Sequence, residues 1–433
     1  MSEGEDVQRR EYALRALVLC VVAVGYALGA ACSRFAPESA THLTFGVGVG
    51  VVLVACLGAA PTAFDATAFF AVVLPPIIFE AATELDLERT VANARAIACV
   101  STVGTAASAS LVAWLVHCLA PLVGAYQLSV TEAMVFGSFI SSTDPVAVMA
   151  TFQRLGVEPN LDAVVSTESL LNDAVAIVLM RVSLALPEGV QWEAAARSAA
   201  LQFVLVAVGS TATGLAAGAA SARTARLAAL HERGRESAAT AAYFAWPYAA
   251  YCAAEAAGWS GIVSLMFCGV ATAHAASPRL PARVQQVTSG VVATAARAME
   301  TYVFVVMGVH VGMEAVSFGY EAHAWRFAGL ACLVVLFARG ASVGGVGLGL
   351  RVWTRCGDAP QLGAWKLVIL WLAGLRGSTA FALAVHARQS LRNERAGQCI
   401  VLATTSVVVA TMLIGSLLVP PLLLRGRLLR PGV

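Results

Sequence analysis

The chain has 433 residues, of which 59% are hydrophobic and only 12% are charged, and its formal net charge is +2. Soluble domains carry about 25% charged residues, because charged side chains keep a folded surface in water. The composition therefore excludes a soluble multidomain enzyme and indicates a lipid bilayer as the solvent. The small net charge gives no reason to expect nucleic-acid binding.

Apolar runs long enough to cross a bilayer recur along the whole chain. A hydrocarbon core of roughly 30 Å needs about 20 helical residues. Thirteen runs meet this requirement and predict an all-α polytopic membrane protein with a single transmembrane domain over residues 1–433. The runs lie near 12–33, 43–60, 66–83, 95–120, 130–153, 162–185, 196–220, 238–257, 260–276, 287–312, 324–350, 362–388 and 398–424.

Arginine positions predict the orientation, because cytoplasmic loops of membrane proteins carry an excess of basic residues. Fifteen arginines fall in the loops and tail on the side of the C-terminus, against five on the opposite side. The C-terminus is therefore predicted to be cytoplasmic, and thirteen spans place the N-terminus across the membrane from it. The segment from Met1 to Arg10 is too acidic for a signal peptide, so the first apolar run is expected to be retained.

Charged residues inside the predicted spans are the strongest functional signal. A charge at the centre of a membrane helix costs about 2.5–3.5 kcal/mol, so eight unpaired charges would cost roughly 20–28 kcal/mol. Such residues must pair, line a wet cavity or titrate, which favours an ion or proton path. The eight are Glu80, Asp144, Glu168, Asp173, Glu255, Glu300, Arg339 and Arg376.

Prolines predict interruptions in the third and fifth spans. In the third, Leu74-Pro75-Pro76 precedes Glu80 and is expected to break the helix. In the fifth, Pro145 lies in the middle of the span, and proline lacks the N–H that a helix needs and clashes with the preceding turn. Freed carbonyls, the Thr143 hydroxyl and the Asp144 carboxylate would supply hard oxygen ligands for a small cation. The alternative is a plain kink in which Asp144 caps the second half-helix.

The sixth span contains Glu168 and Asp173, five residues apart. Five helical steps separate two side chains by about 140°, so these acids cannot share one small site. One should face the ion and the other a fixed partner. Arg339 in the eleventh span is the natural partner for Glu168, which leaves Asp173 as the titrating group. The competing interpretation makes Asp173 another salt-bridged carboxylate.

The ninth span begins with a sequence that permits a different function. Gly258-Trp259-Ser260-Gly261 resembles the nucleophile motif of an intramembrane serine protease, with His274 as the nearest histidine in an apolar span. Because Ser260 also suits a helix start, this is a distant alternative. A cation channel, with flux uncoupled from pH gradients, is a further one.

Glycines interrupt the twelfth span at Gly374-Leu375-Arg376-Gly377-Ser378. The fifth and twelfth spans, both interrupted, are seven apart. This spacing suits two inverted six-helix repeats, 12–185 and 238–424, joined by a linking helix near 196–220. Transporters built in this way place their site where the discontinuous helices cross.

The chain resembles the sodium/proton exchanger family, the monovalent cation/proton antiporters, in motifs that share the family's order and spacing from about residue 66 to 385. The motifs are Phe69-Phe70 through Leu74-Pro75-Pro76-Ile77-Ile78-Phe79-Glu80, Ser142-Thr143-Asp144-Pro145-Val146-Ala147, Glu168-Ser169-Leu170-Leu171-Asn172-Asp173-Ala174-Val175, Glu300-Thr301 with Phe304 and Gly308-Val309, and Gly374-Leu375-Arg376-Gly377 with Ala380-Phe381.

The resemblance implies a role for each matching residue. Asp173 would carry either a proton or Na⁺, and the Asn172-Asp173 pair resembles the electroneutral branch of the family. The remaining roles concern the ion shell and its supporting charges. Thr143, Asp144, Asn172 and Ser169 would complete the ion shell, Glu168 would pair with Arg339, and Arg376 would compensate helix-end charge. Glu80 matches an acidic position of the family and would be a supporting charge, and Glu300 would affect transport or cation access.

The resemblance also implies the activity, an electroneutral exchange of one Na⁺ for one proton by alternating access, with pH and sodium regulation as its result. A K⁺-selective or electrogenic antiporter is the alternative, and Li⁺ is a possible cargo. A homodimer in the plasma membrane or an organellar membrane is expected, with no enzymatic activity and no cofactor beyond the transported ions. Since the sequence ends at Val433 after a short basic segment, no regulatory C-terminal domain is expected.

Overall fold

The computed structural model describes residues 19–31, 38–57, 68–144, 152, 155–185, 192–229, 236–317, 322–354 and 363–426. The regular secondary structure of these residues is helical, which confirms the predicted all-α class. Several predictions concern residues outside these ranges. They include the N-terminal segment 1–10, Pro145-Val146-Ala147, and the arginines Arg34, Arg154, Arg233, Arg235, Arg355, Arg427 and Arg430.

The described helices follow the predicted apolar runs. They are α1 (Leu19–Ala31), α2 (Glu38–Leu57), α3 (Phe69–Thr83), α4 (Leu87–Ala92), α5 (Ala94–Leu119), α6 (Val130–Ile140), α7 (Pro159–Ala185), α8 (Trp192–Ala229), α9 (Glu236–Ala256), α10 (Gly261–Ala271, followed by a π-helical and a 3₁₀ turn), α11 (Ala282–Ser317), α12 (Ala322–Thr354), α13 (Ala364–Leu372), α14 (Ser378–Ser390) and α15 (Glu394–Arg425).

Eight of these helices are long and apolar enough to cross a membrane, and α1, α3 and α6 are shorter apolar helices. The multi-pass organisation is therefore confirmed, whereas the count of thirteen and the division into inverted repeats stay predictions. The linking helix α8 is longer than the predicted 196–220, extending from Trp192 to Ala229. Residues 221–229 lie beyond the predicted run but are rich in alanine and arginine, which are strong helix formers, so the helix continues.

Side-chain caps fix where several helices begin. Ser129 forms a capping box with Glu132 at the start of α6. Ser260 accepts from the backbone N–H of Val263 at the start of α10, and Asn393 accepts from Ala396 at the start of α15. Each cap satisfies a backbone donor that the first helical turn leaves free, which stabilises the helix start by about 1 kcal/mol.

The predicted break at Leu74-Pro75-Pro76 is wrong, because α3 continues through both prolines. A π-helical turn over Phe69–Val73 precedes them and absorbs the change in hydrogen-bond register. The missing proline N–H leaves a carbonyl unpaired one turn earlier. The Tyr248 hydroxyl donates to the carbonyl of Ala71 at 3.3 Å, which satisfies this group from a neighbouring helix.

The two other predicted interruptions are present. Helix α6 ends at Ile140, and the following residues through Asp144 are not helical. The ring of a proline clashes with the helical turn before it, so a helix is expected to end shortly before Pro145. The second interruption separates α13, which ends at Leu372, from α14, which begins at Ser378.

The helices form two groups that contact each other sparsely. The α7 bundle comprises α4–α7 and α12–α15, and its helices pack closely around α7, which is buried along nearly its whole length. The α11 bundle comprises α1–α3 and α8–α11. Few contacts link α7 to α3, α8 and α10. Buried apolar residues of both groups nevertheless belong to one continuous hydrophobic core.

The tightest contact in the α11 bundle is the crossing of α2 and α11. Glycines lie on both sides of it, and a Cβ added at Gly46 would lie 2.9 Å from Gly308 Cα, while one at Gly308 would lie 2.9 Å from Gly46 Cα. Small residues at such a crossing allow two helix backbones to touch, which is a common mode of packing in membranes.

Candidate functional site

The two helix interruptions meet at the centre of the α7 bundle. The backbone N–H of Asp144, just after α6, donates to the Leu375 carbonyl at 2.8 Å, between α13 and α14. The backbone N–H of Ser378 donates to the Asp144 carboxylate at 3.4 Å. The Arg376 guanidinium donates through one nitrogen to the carbonyls of Ser141 and Ser142 at 2.9 and 2.8 Å. The predicted crossing of discontinuous helices is thus present.

Each interruption carries a charged side chain that lies at a helix end of the other interruption, where it offsets the partial charge of that end. Helix N-termini carry partial positive charge and C-termini partial negative charge. Asp144 accepts from the first turn of α14, and the Arg376 cation lies on the C-terminal carbonyls of α6. A Cβ at Gly377 would collide with the Asp144 carboxylate, so only glycine permits this close approach. Asp144 thus caps the first turn of α14.

Asp173 lies on α7 beneath this crossing and is buried, with 1% of its surface exposed. The Ser142 hydroxyl donates to its Oδ1 atom. The Thr379 hydroxyl donates to its Oδ2 atom at 3.2 Å. No basic side chain within the described ranges forms an ion pair with this carboxylate. The crossing therefore holds an aspartate whose contacts are hydroxyl groups from both interruptions.

Glu168, the other acid of α7, has a fixed cationic partner. Two nitrogens of Arg339 on α12 donate to its two carboxylate oxygens, each at 2.9 Å, and both side chains are buried. Parallel donation of this kind is the strong geometry for a guanidinium and a carboxylate. Glu168 and Asp173 therefore have the separate environments that their angular spacing predicts.

Asn172 links the ion pair to the crossing. Its amide nitrogen donates to the Thr143 hydroxyl at 3.1 Å and to Glu168 at 3.3 Å. Its Oδ1 atom and the Ser169 hydroxyl are buried without hydrogen-bond partners among the described residues. Ser169 is four residues before Asp173 and so lies on the same face of α7. These two oxygen atoms are hard ligands of the kind that a small cation prefers.

Glu80 on α3 and Glu300 on α11 belong to the other bundle and lie outside this hydrogen-bonded cluster. Neither carboxylate forms a hydrogen bond or ion pair with another residue in the described ranges. The negative charges of Asp144 and Glu80 nevertheless repel the Glu300 carboxylate. The positive charge of Arg297, one turn earlier on α11, attracts it. Glu300 is thus within electrostatic range of Asp144, and neither acid is part of the hydrogen-bonded site.

The serine protease interpretation is wrong. Ser260 is buried and caps α10, and its backbone N–H donates to the Ser210 hydroxyl at 2.9 Å. His274 is fourteen residues further along, and at 1.5 Å of helical rise per residue the two side chains are roughly 20 Å apart. Its Nδ1 atom pairs with the Val270 carbonyl at 2.9 Å. A nucleophile and its base must be within hydrogen-bond reach.

Three hydroxyl residues of the site are absent from the ligand set that the sequence suggests. They are Ser142 and Thr379, which contact Asp173, and Thr411 on α15, which accepts from the backbone N–H of Arg376 at 3.1 Å. A sequence signal exists for the first two, since each lies at or next to an interruption. Nothing local distinguishes Thr411 from the other threonines of α15.

The fold is that of a sodium proton antiporter. The structure of the sodium proton antiporter MjNhaP1 from Methanocaldococcus jannaschii matches with a TM-score of 0.70, covering 96% of this chain and 99% of that one at 12% identity. At this low identity the match concerns the fold alone.

The family follows from the sequence comparisons. The family model described as sodium/hydrogen exchanger, transmembrane, matches residues 17–425. Sodium/hydrogen exchanger 5 of Arabidopsis thaliana is 31% identical over 407 residues, covering 92% of this chain and 76% of that protein. Sodium/hydrogen exchanger 8 of Homo sapiens is 29% identical over 430 residues, covering 95% and 71%. The chain belongs to the sodium/hydrogen exchanger family and is a multi-span membrane transporter.

Proposed function

We propose that this protein is a secondary active transporter that exchanges one Na⁺ for one proton without net charge movement, and that Asp173 carries both ions in turn. The charge balance of the site is the observation that carries this proposal. Three carboxylates and two guanidinium groups are buried at the crossing, which leaves one negative charge. They are Asp144, Glu168, Asp173, Arg339 and Arg376.

One uncompensated negative charge can bind one proton or one monovalent cation, and either choice gives the same total charge. Asp173 is the group free to do so, because Glu168 is held by Arg339 and Asp144 caps α14. Protonated Asp173 has no charge to hold Na⁺, so the two ions compete. Thr143, Asn172 and Ser169 would complete the oxygen shell around Na⁺. This chemistry accounts for a one-for-one, electroneutral exchange.

Alternating access requires the site to face each side of the membrane in turn. The sparse contacts between the α7 and α11 bundles support movement of one against the other, as in transporters with crossed helices. Glu80 and Glu300 border the route on the α11 side, where their negative charge would attract cations. Inverted repeats over 12–185 and 238–424 would supply the symmetry of the two states.

We further propose a homodimer, with the C-terminus in the cytoplasm and a role in pH and sodium regulation. The family resemblance and the loop arginines support these assignments. The exposed stripe on α8 fits either lipid or a second copy. Its members are Leu201, Val204, Leu205 and Val208. Crosslinking in native membranes tests the dimer, and protease accessibility in oriented vesicles tests the orientation.

The exchange activity is tested with the variant Asp173→Asn in proteoliposomes that carry a pH gradient. We expect Na⁺-driven dissipation of the gradient to fall to the protein-free level, because an amide cannot bind and release a proton. Glu88→Gln, which removes an exposed carboxylate of α4, is the matched control and should retain wild-type flux. Size-exclusion chromatography and melting temperature establish that Asp173→Asn folds. Wild-type flux in Asp173→Asn would refute the assignment.

Electroneutrality and ion selectivity are tested in the same vesicles. With one cation exchanged for one proton, a potential clamped by K⁺ and valinomycin should leave the Na⁺-driven rate unchanged. A clear voltage dependence would identify an electrogenic antiporter, and cation flux without proton movement would identify a channel. Parallel measurements with Na⁺, Li⁺ and K⁺ decide the cargo. We expect Na⁺ and Li⁺ to be exchanged faster than K⁺.

A further inference from the structure

The geometry points to Thr379 and Ser142 as a hydroxyl clamp that positions the Asp173 carboxylate and adds two oxygen ligands for the cation. This inference rests on the proposed function, in which Asp173 carries the ions. The clamp residues lie on different elements, Ser142 after α6 and Thr379 in the first turn of α14. Together they reach both oxygens of the carboxylate.

These hydroxyls behave differently from three buried hydroxyls that lie inside continuous helices. Ser138, Ser183 and Thr404 each donate to the carbonyl four residues earlier in their own helix, at 2.7–2.8 Å. A hydroxyl that donates to its own helix has no proton left to donate to a carboxylate. Ser142 and Thr379 donate to Asp173 instead.

The helix interruptions explain the difference. The carbonyl four residues before Thr379 belongs to Leu375, outside α14, and it already accepts from the backbone N–H of Asp144. Ser142 follows the end of α6, so its hydroxyl is not directed along a continuing helix. Its carbonyl is occupied by Arg376, and its hydroxyl turns to the carboxylate. Breaking the two helices therefore releases two hydroxyls at the place where the ion is carried.

A clamped carboxylate retains capacity for a cation. An ionised carboxylate has about four lone-pair sites, and each clamp hydroxyl has one donor and two acceptor lone pairs. Each hydroxyl can therefore donate to Asp173 and still present an oxygen to Na⁺. Ser142 and Thr379 are both buried, so water competes weakly for these contacts. Two fixed hydroxyls around the carboxylate would also make the site small, which favours Li⁺ and Na⁺ over K⁺.

The clamp changes the competition between protons and cations. Hydrogen bonds to an ionised carboxylate stabilise the charged form. Removing one donor should favour the protonated form, so a higher cation concentration or a more alkaline solution is needed for the same rate. The maximal rate should change little, because Asp173 itself remains. A role limited to packing would not shift the pH profile.

The test compares Thr379→Val, Thr379→Ser and wild type in proteoliposomes across pH. For Thr379→Val we expect the KM for Na⁺ to rise roughly tenfold, because the carboxylate loses one hydrogen bond to its charged form. We also expect the pH profile to shift to alkaline pH, the maximal rate to stay within about twofold, and preference for Na⁺ over K⁺ to weaken. Thr379→Ser should restore all three properties. Thr404→Val, an isosteric change whose hydroxyl serves its own helix, is the control.

The outcomes separate the clamp from the proposed function. If Thr379→Val keeps the wild-type KM, pH profile and selectivity while Asp173→Asn is inactive, the clamp is refuted and the function stands. If Asp173→Asn exchanges normally, the proposed function fails and the clamp fails with it. Should Thr379→Val not fold, Thr379→Ala against Thr379→Ser decides the question. Cation-induced rises in melting temperature, measured at two pH values, then replace transport as the readout.

Discussion

Helix α7 is buried along nearly its whole length, whereas helix α2 packs along α11, and the two contacts are built in opposite ways. The α7 contact is polar, with Glu168 held by Arg339 and Asp173 held by hydroxyls. The α2 contact with α11 uses glycines and brings backbone against backbone. The first depends on the presence of particular side chains, and the second on their absence.

This difference has consequences for how each region tolerates change. A buried charge that loses its partner is costly because no water replaces it. A backbone contact without side chains cannot accommodate an added methyl group unless a helix moves. The polar region can exchange one partner for another, such as a proton for a cation, whereas the glycine contact has one arrangement. The comparison therefore favours the α11 bundle as the rigid unit.

Removing Arg339 is expected to give the largest effect on stability. Arg339→Met leaves Glu168 buried without its partner, which costs about 3–5 kcal/mol. The melting temperature in detergent should fall accordingly. The double variant Glu168→Leu with Arg339→Met should recover most of the loss, since neither charge then remains. A double variant as unstable as the single one would mean that side-chain volume, and not charge, maintains this contact.

An added methyl group at Gly46 is expected to give an intermediate effect. In Gly46→Ala the Cβ would lie 2.9 Å from Gly308 Cα and 3.0 Å from the Val309 nitrogen, so α2 and α11 must separate. Overpacking of this kind costs about 1–3 kcal/mol. Gly48→Ala, two residues along the same helix, meets no atom within 4 Å and should be neutral or stabilising. Equal melting temperatures for the two variants would contradict the backbone contact.

The smallest effect is expected at the ion pair between the two bundles. Arg181 on α7 donates to both carboxylate oxygens of Glu255 on α9 at 2.9 and 3.1 Å, and to the Trp259 carbonyl at 3.1 Å. The two side chains are 43% and 32% exposed, so solvent screens their attraction. Arg181→Ala should cost about 0.2–1 kcal/mol, less at high salt. A loss as large as that of Arg339→Met would remove the distinction between the buried and the exposed pair.

The sequence predicted much of this site because charges in membrane spans have few alternatives. The pairing of Glu168 with Arg339, and the separate environment of Asp173, follow from angular spacing and the cost of unpaired charge. The break expected at Pro75 and Pro76 is wrong for a reason that local sequence does not contain. A π-helical turn and the Tyr248 hydroxyl, which comes from a distant helix, satisfy the backbone there.

The sequence by itself determined that this protein lies in a bilayer, that charged residues occur within its spans, and that the segments around Asp144 and Arg376 are interrupted. These conclusions follow from composition, helix geometry and proline chemistry, all of which act locally. Only the tertiary structure decided that Asp144 caps α14, that Arg376 covers the end of α6, and that Ser142 and Thr379 hold Asp173. The physical reason is that each of these contacts joins residues from separate helices, and no local periodicity records which distant groups meet.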